Sequence, residues 1–99
     1  MDPLGKQTES RSILKVFPNP AKDYIIVEYL VDIPITNREH KNMTLVMIDG
    51  NGKLLRNIEL NYRQDQLVIP TENLNSGIYF FNLYVYGKLE KTSKFTIVK

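Results

Sequence analysis

The run Ile78-Tyr79-Phe80-Phe81-Asn82-Leu83-Tyr84-Val85-Tyr86 constrains the fold more than any other stretch of the chain. An extended segment alternates its side chains, so Tyr79, Phe81, Leu83 and Val85 take one face. Ile78, Phe80, Asn82, Tyr84 and Tyr86 take the other. Apolar residues on both faces suit a central strand of a β-sheet.

The remaining segments repeat that period. Ile13 to Phe17 is predicted to form a short strand, ended by Pro18-Asn19-Pro20, where two prolines remove donors and fix φ. From Asp23 to Leu30, Ile25, Val27 and Tyr29 alternate with Tyr24, Ile26 and Glu28; the charge in the second set turns the first set inward. Asp32 to Asn42 is polar and irregular and reads as a solvated loop. Met43 to Ile48 follows as a strand with Leu45 and Met47 in the core. Asp49-Gly50-Asn51-Gly52 is a tight-turn signal, and Lys53 to Leu60 returns as the hairpin partner. Gln66 to Ile69 is a short strand stopped by Pro70, and Thr71 to Ser76 is a connection that tucks Leu74 into the core. Gly87-Lys88 matches a two-residue hairpin loop of type II′, with Gly first. The last strand covers Lys91 to Val98, with Phe95 and Ile97 inward. No segment shows a convincing helical period, and no internal repeat is visible. About seven short strands with regular turn signals predict an all-β, immunoglobulin-like antiparallel two-sheet sandwich. Lacking cysteine and tryptophan, it is not an antibody-type domain.

Size and composition agree with one soluble domain: 99 residues, 42% hydrophobic and 24% charged. Residues 1–12 have linker composition and residues 13–99 form the domain. The absence of cysteine excludes a disulfide framework and a thiolate metal site without identifying a compartment. No apolar run approaches the roughly 20 residues that cross a bilayer. Met1 to Ser12 lacks the apolar core of a secretory signal, so an exported chain is expected to carry its signal upstream. The net charge of +2 is too small to suggest nucleic acid. Its distribution is uneven: Lys88, Lys91, Lys94 and Lys99 accompany a single Glu90 at the end of the chain. These lysines read first as protection of an edge strand against aggregation, and second as an electrostatic handle.

Candidate chemistry is sparse. His40 lies in a charged loop beside Glu39 and Lys41, and nothing points Ser76, Ser93 or any threonine at it, as a nucleophile–base pair would need. Asp49-Gly50-Asn51-Gly52 lacks the carboxylate ladder and distal glutamate of a calcium loop. Asp65, Glu72 and Glu90 are scattered, unlike the paired acids of a glycosidase. Asn42-Met43-Thr44 is a chance-level sequon. The expectation is no enzyme, no catalytic residue, no metal and no cofactor. The outward Phe80, Tyr84 and Tyr86 have two readings: cross-strand packing, or a surface that stacks on sugar rings or docks a partner. The second reading would make the chain a carbohydrate-binding or adhesive module appended to a secreted hydrolase.

A set of short motifs resembles a known family, the type A C-terminal sorting domains of the bacterial type IX secretion system. They are Val16-Phe17-Pro18-Asn19-Pro20-Ala21, then Asp49 with Gly52-Lys53, then Leu74 with Gly77-Ile78-Tyr79, and a lysine-containing last strand, Phe95-Thr96-Ile97-Val98-Lys99. Each is weak alone; their order and spacing carry the resemblance, which covers about Ile13 to Lys99.

The resemblance implies a module that directs an upstream cargo protein across the outer membrane to the cell surface, by way of the periplasm. It implies recognition by outer-membrane translocon and shuttle proteins. It also implies removal by a surface sortase, with attachment of the cargo to anionic lipopolysaccharide. That cut is expected within Gly5, Lys6, Gln7, Thr8, Glu9, Ser10, Arg11 and Ser12. Pro18, Asn19, Pro20, Gly77 and Tyr79 are expected to shape the fold. Lys94, Phe95, Ile97 and Lys99 of the terminal strand are expected to meet the machinery, Lys94 and Lys99 foremost. An unpaired edge there also allows a homodimer in isolation.

Overall fold

The computed structural model of the chain describes residues 11–32 and 42–99. The expected loop around His40 and the linker residues Gly5 to Ser10 lie outside the described residues. Seven strands follow in order: β1 (Ile13–Phe17), β2 (Tyr24–Leu30), β3 (Met43–Asp49), β4 (Leu54–Glu59), β5 (Gln64–Pro70), β6 (Gly77–Val85) and β7 (Lys88–Ile97). They form two antiparallel sheets, one ordered β1-β2-β5 and the other β4-β3-β6-β7. The sandwich predicted from the alternation is therefore the observed architecture. The run that most constrained the fold, β6, is an interior strand, paired with β3 on one side and β7 on the other.

Period-2 patterning positions the core. Ile25, Val27 and Tyr29 of β2 face Leu45 and Met47 of β3, and Phe81 and Leu83 of β6, all almost completely buried. Phe95 and Ile97 of β7 complete the layer with no exposed surface. Burying side chains of this size contributes about 1.5–3 kcal/mol each. Tyr79, Phe95 and Phe81 stack in a row, with ring centroids 5.6 and 5.4 Å apart. Tyr29 is the polar exception in the core. Its hydroxyl donates to the Tyr62 carbonyl at 2.8 Å and ties β2 to the β4–β5 connection. Burial, helped by the charge of Asp65, pushes its pKa up to about 12.

Two turns explain the hairpin registers. Gly52 closes the β3–β4 turn by donating its N–H to the Asp49 carbonyl at 3.0 Å, and its φ of 84° is one that glycine adopts without strain. The β6–β7 loop differs from expectation by one residue. Val85 pairs with Lys88, so the two loop residues are Tyr86 and Gly87, with φ of 55° and 76°. Two positive φ values in succession mark a type I′ turn rather than the expected II′. The displacement is absorbed by a bulge: Leu83 pairs with Lys91 but Tyr84 with Leu89, leaving Glu90 as the extra residue. β7 consequently begins at Lys88, three residues earlier than predicted.

A candidate recognition pole at one end of the sandwich

Residues distant in sequence meet in two adjoining rows at one end of the four-stranded sheet. In the first, Asp49 of β3 pairs with Tyr79 of β6, which pairs with Phe95 of β7. In the second, Gly77 pairs with Ile97, which forms a parallel bridge with Ala21. The three motif stretches and the terminal strand thus occupy one pole.

The Pro18-Asn19-Pro20-Ala21 segment carries the chain from the sheet of β1 to the outer edge of β7. Both prolines follow cis peptide bonds. The Asn19 side-chain Oδ1 accepts the Thr96 N–H at 3.0 Å. Ala21 donates its N–H to the Thr96 carbonyl at 2.8 Å and accepts the Val98 N–H at 2.9 Å. Proline has no N–H to leave unpaired here, and Ala21 is small enough to be buried against Ile97. This segment stitches the end of β7 to the body of the domain.

Asp49 works as a turn former. Its Oδ1 accepts the N–H groups of Asn51 and Lys53, both at 2.9 Å, as short acidic side chains commonly do in turns. Facing it, the 71–79 segment is held by Thr71, which is fully buried. Thr71 donates its N–H to the Asp23 carbonyl at 2.8 Å and its hydroxyl to the Lys22 carbonyl at 3.0 Å. Its own carbonyl accepts the Leu74 N–H at 3.0 Å and the Lys99 ammonium at 2.9 Å. Thr71 was missed as a key residue because its partners are non-local; the polar side chain directly after the strand-ending Pro70 was the available signal. Tyr79 donates its hydroxyl to the Asn75 carbonyl at 2.6 Å, and Leu74 packs on the core as expected. A shallow cavity of about 260 Å³ opens between the Asp49–Asn51 turn and the Ser76–Tyr79 segment.

The terminal-strand residues divide. Lys94 is exposed on the outer face, paired with Phe80. Phe95 and Ile97 have no exposed surface, so in the folded domain their side chains are core and cannot meet a receptor. Lys99 donates its N–H to Ser76 Oγ at 2.9 Å, and its ammonium is engaged by Thr71. Its position is fixed by the pole itself. At the other end of the domain Ser12, expected within a linker, is 4% exposed. Its hydroxyl accepts the Asp32 N–H at 2.8 Å and donates to Glu90 Oε2 at 3.1 Å. The folded body therefore starts one residue earlier than its first strand. Phe80 and Tyr84 are half-buried on the outer face of the four-stranded sheet, and Tyr86 lies in the hairpin loop.

The family model for secretion system C-terminal sorting domains matches residues 15–99. The chain belongs to that family. A comparison with curated proteins returns no match. The sorting domain is a C-terminal signal of the type IX secretion system, and such signals take a cargo across the outer membrane to the cell surface or the extracellular space. Ser12 and Ile13 sit with Asp32 and Leu30, at the end opposite Asp49, Gly77 and Ile97. The longest dimension of the molecule is 46 Å.

Proposed function

We propose that the pole formed by Asn19, the Asp49 turn, the Thr71–Tyr79 segment and the end of β7 is the face that the outer-membrane translocon and its shuttle proteins read. Supporting this reading is one observation: the motif residues and the terminal strand share two cross-strand rows at the end farthest from the cargo junction. A receptor engaging that pole leaves the cargo trailing from the other. The domain acts by binding, without catalysis of its own, passing through the periplasm on the way to the surface. A surface sortase then cuts upstream of Ser12, within Gly5 to Ser10, and the cargo is joined to anionic lipopolysaccharide. Burial of Ser12 supports a cut ahead of it, since a protease needs an extended, accessible segment.

Fusion of the whole chain, residues 1–99, to a periplasmic reporter in a type IX-competent cell tests the proposal. Reporter at the surface is the expected result, with mass spectrometry placing the new cargo terminus within Gly5 to Ser10. Reporter retained in the periplasm would overturn it. In isolation the domain is also expected to be able to pair with a second copy through a sheet edge, and sedimentation of the purified chain decides whether a homodimer forms. Carbohydrate binding has weaker support, because Phe80 and Tyr84 are half-buried and not displayed as open stacking platforms.

A further inference from the structure

We propose that Asn51 is a site of spontaneous deamidation, and that the Asp49 side chain sets its rate by holding the turn closed.

Asn51 is the only asparagine in the chain that glycine follows. It sits exposed at the tip of the β3–β4 hairpin. Among the described residues its side-chain amide makes no hydrogen bond, so no partner restrains Cγ. Across the peptide bond, Gly52 has no side chain to shield its nitrogen, and the space where a Cβ would sit is empty to 4 Å. The other asparagines are less suited. Asn19 precedes Pro20, whose nitrogen carries no proton. The remaining ones precede larger residues, and Asn75, before Ser76, comes next.

The reaction needs only water as co-reactant. The Gly52 main-chain nitrogen, once it has lost its proton, attacks Asn51 Cγ. An N–Cγ bond forms, the Cγ–Nδ2 bond breaks, and Nδ2 takes up the proton and leaves as ammonia. Water then opens the cyclic imide at either carbonyl. One opening yields aspartate. The other yields isoaspartate, in which the main chain runs through the former side chain.

The closed turn opposes this chemistry. Gly52 donates its N–H to the Asp49 carbonyl at 3.0 Å, which keeps the proton on the nucleophile. Asp49 Oδ1 accepts the N–H groups of Asn51 and Lys53, both at 2.9 Å, and so fixes the main chain on either side of the reacting bond. Attack therefore waits for the turn to open. An exposed hairpin tip opens at much lower cost than the core strands beneath it. The place of the product matters, because Asn51 lines the pole cavity together with Asp49 and Gly77. Conversion sets a second carboxylate beside Asp49, and isoaspartate lengthens the main chain and disrupts the Gly52 bond. The pole is thus the part of the domain that records its age, whatever reads it.

The test incubates the purified chain at physiological temperature and mildly alkaline pH. Peptide mapping by mass spectrometry follows the conversion, with electron-transfer fragmentation to tell isoaspartate from aspartate. Conversion is expected first at Asn51, about tenfold slower in the folded chain than in the chain unfolded in guanidinium chloride. Asp49→Ala removes the side-chain acceptor and is expected to convert about three- to tenfold faster than the unmodified folded chain. Asp49→Ser keeps a shorter acceptor and should fall between the two. Amide spectra of the core residues check that each variant is folded. Asn51→Gln should abolish the mass gain at this position. Conversion beginning at Asn75 or elsewhere, or none at Asn51 in the folded chain, would overturn the proposal. So would equal rates in the folded and unfolded chains, or no acceleration in either Asp49 variant.

Discussion

Asn19 accepts the main-chain N–H of Thr96 across 77 residues of sequence, at 3.0 Å. A single side-chain oxygen thereby joins the proline-flanked entry of the domain to its last strand.

Asn19→Ala removes that acceptor, and a net loss of about 0.5–1.5 kcal/mol is expected, toward the lower end because water reaches the site. Asn19→Asp keeps the oxygen and should lie close to the unmodified chain. Urea denaturation of both variants checks the ranking. A loss in Asp as large as in Ala would show that the amide, and not the acceptor, matters.

Phe95→Ala is expected to cost about 3–5 kcal/mol, because it empties the ring between Tyr79 and Phe81. Lys94→Ala, one residue away and exposed, should change stability by no more than about 0.5 kcal/mol. Thermal melts separate the two. Loss of sorting in Lys94→Ala with an unchanged melt would identify a contact residue.

Gly87 and Gly77 should respond oppositely to alanine. Gly87 has φ of 76°, in the left-handed region, so Gly87→Ala is expected to cost about 1–2 kcal/mol. A Cβ on Gly77 would meet only the Tyr79 ring, at an ordinary 3.8 Å, and no positive φ is recorded there. Gly77→Ala should therefore fold normally. If it sorts poorly nonetheless, the cavity beside Gly77 is a site of direct recognition.

Tyr29 makes the fold sensitive to alkali. Its folded pKa of about 12 lies above the ordinary value of 10.0, so above that ordinary value the unfolded chain releases the proton first. The contribution is complete below the unfolded pKa and is lost as pH rises from there through the folded one. Tyr29→Phe should lose the bond to the Tyr62 carbonyl, about 1 kcal/mol at neutral pH. It should also lack this extra alkaline decline. Denaturation midpoints compared across pH, with phenolate absorbance as a direct titration, test both.

The strands were legible because their cause is local. Alternation in β2, β3 and β6 placed Ile25, Val27, Leu45, Met47, Phe81 and Leu83 in the core, where the structure has them. What escaped depends on partners far along the chain. Ser12 has the composition of a tail, and only Asp32 and Glu90 make it structural. The β6–β7 turn was displaced because a bulge at Glu90 leaves no local sign in an otherwise alternating strand. The inward side of Phe95 and Ile97 was read correctly, and that burial is why neither can be a contact residue. The motif pole was named residue by residue, but its convergence needed the registers of β3, β6 and β7.

The stitch between Asn19, Ala21 and the Thr96–Val98 segment has a consequence for synthesis. As a ribosome releases the chain, the first proline turn has nothing to close upon until residues near the far end have emerged. A product whose translation aborts before Thr96 leaves that seam open, and on the proposed reading such an incomplete message is expected to go undelivered.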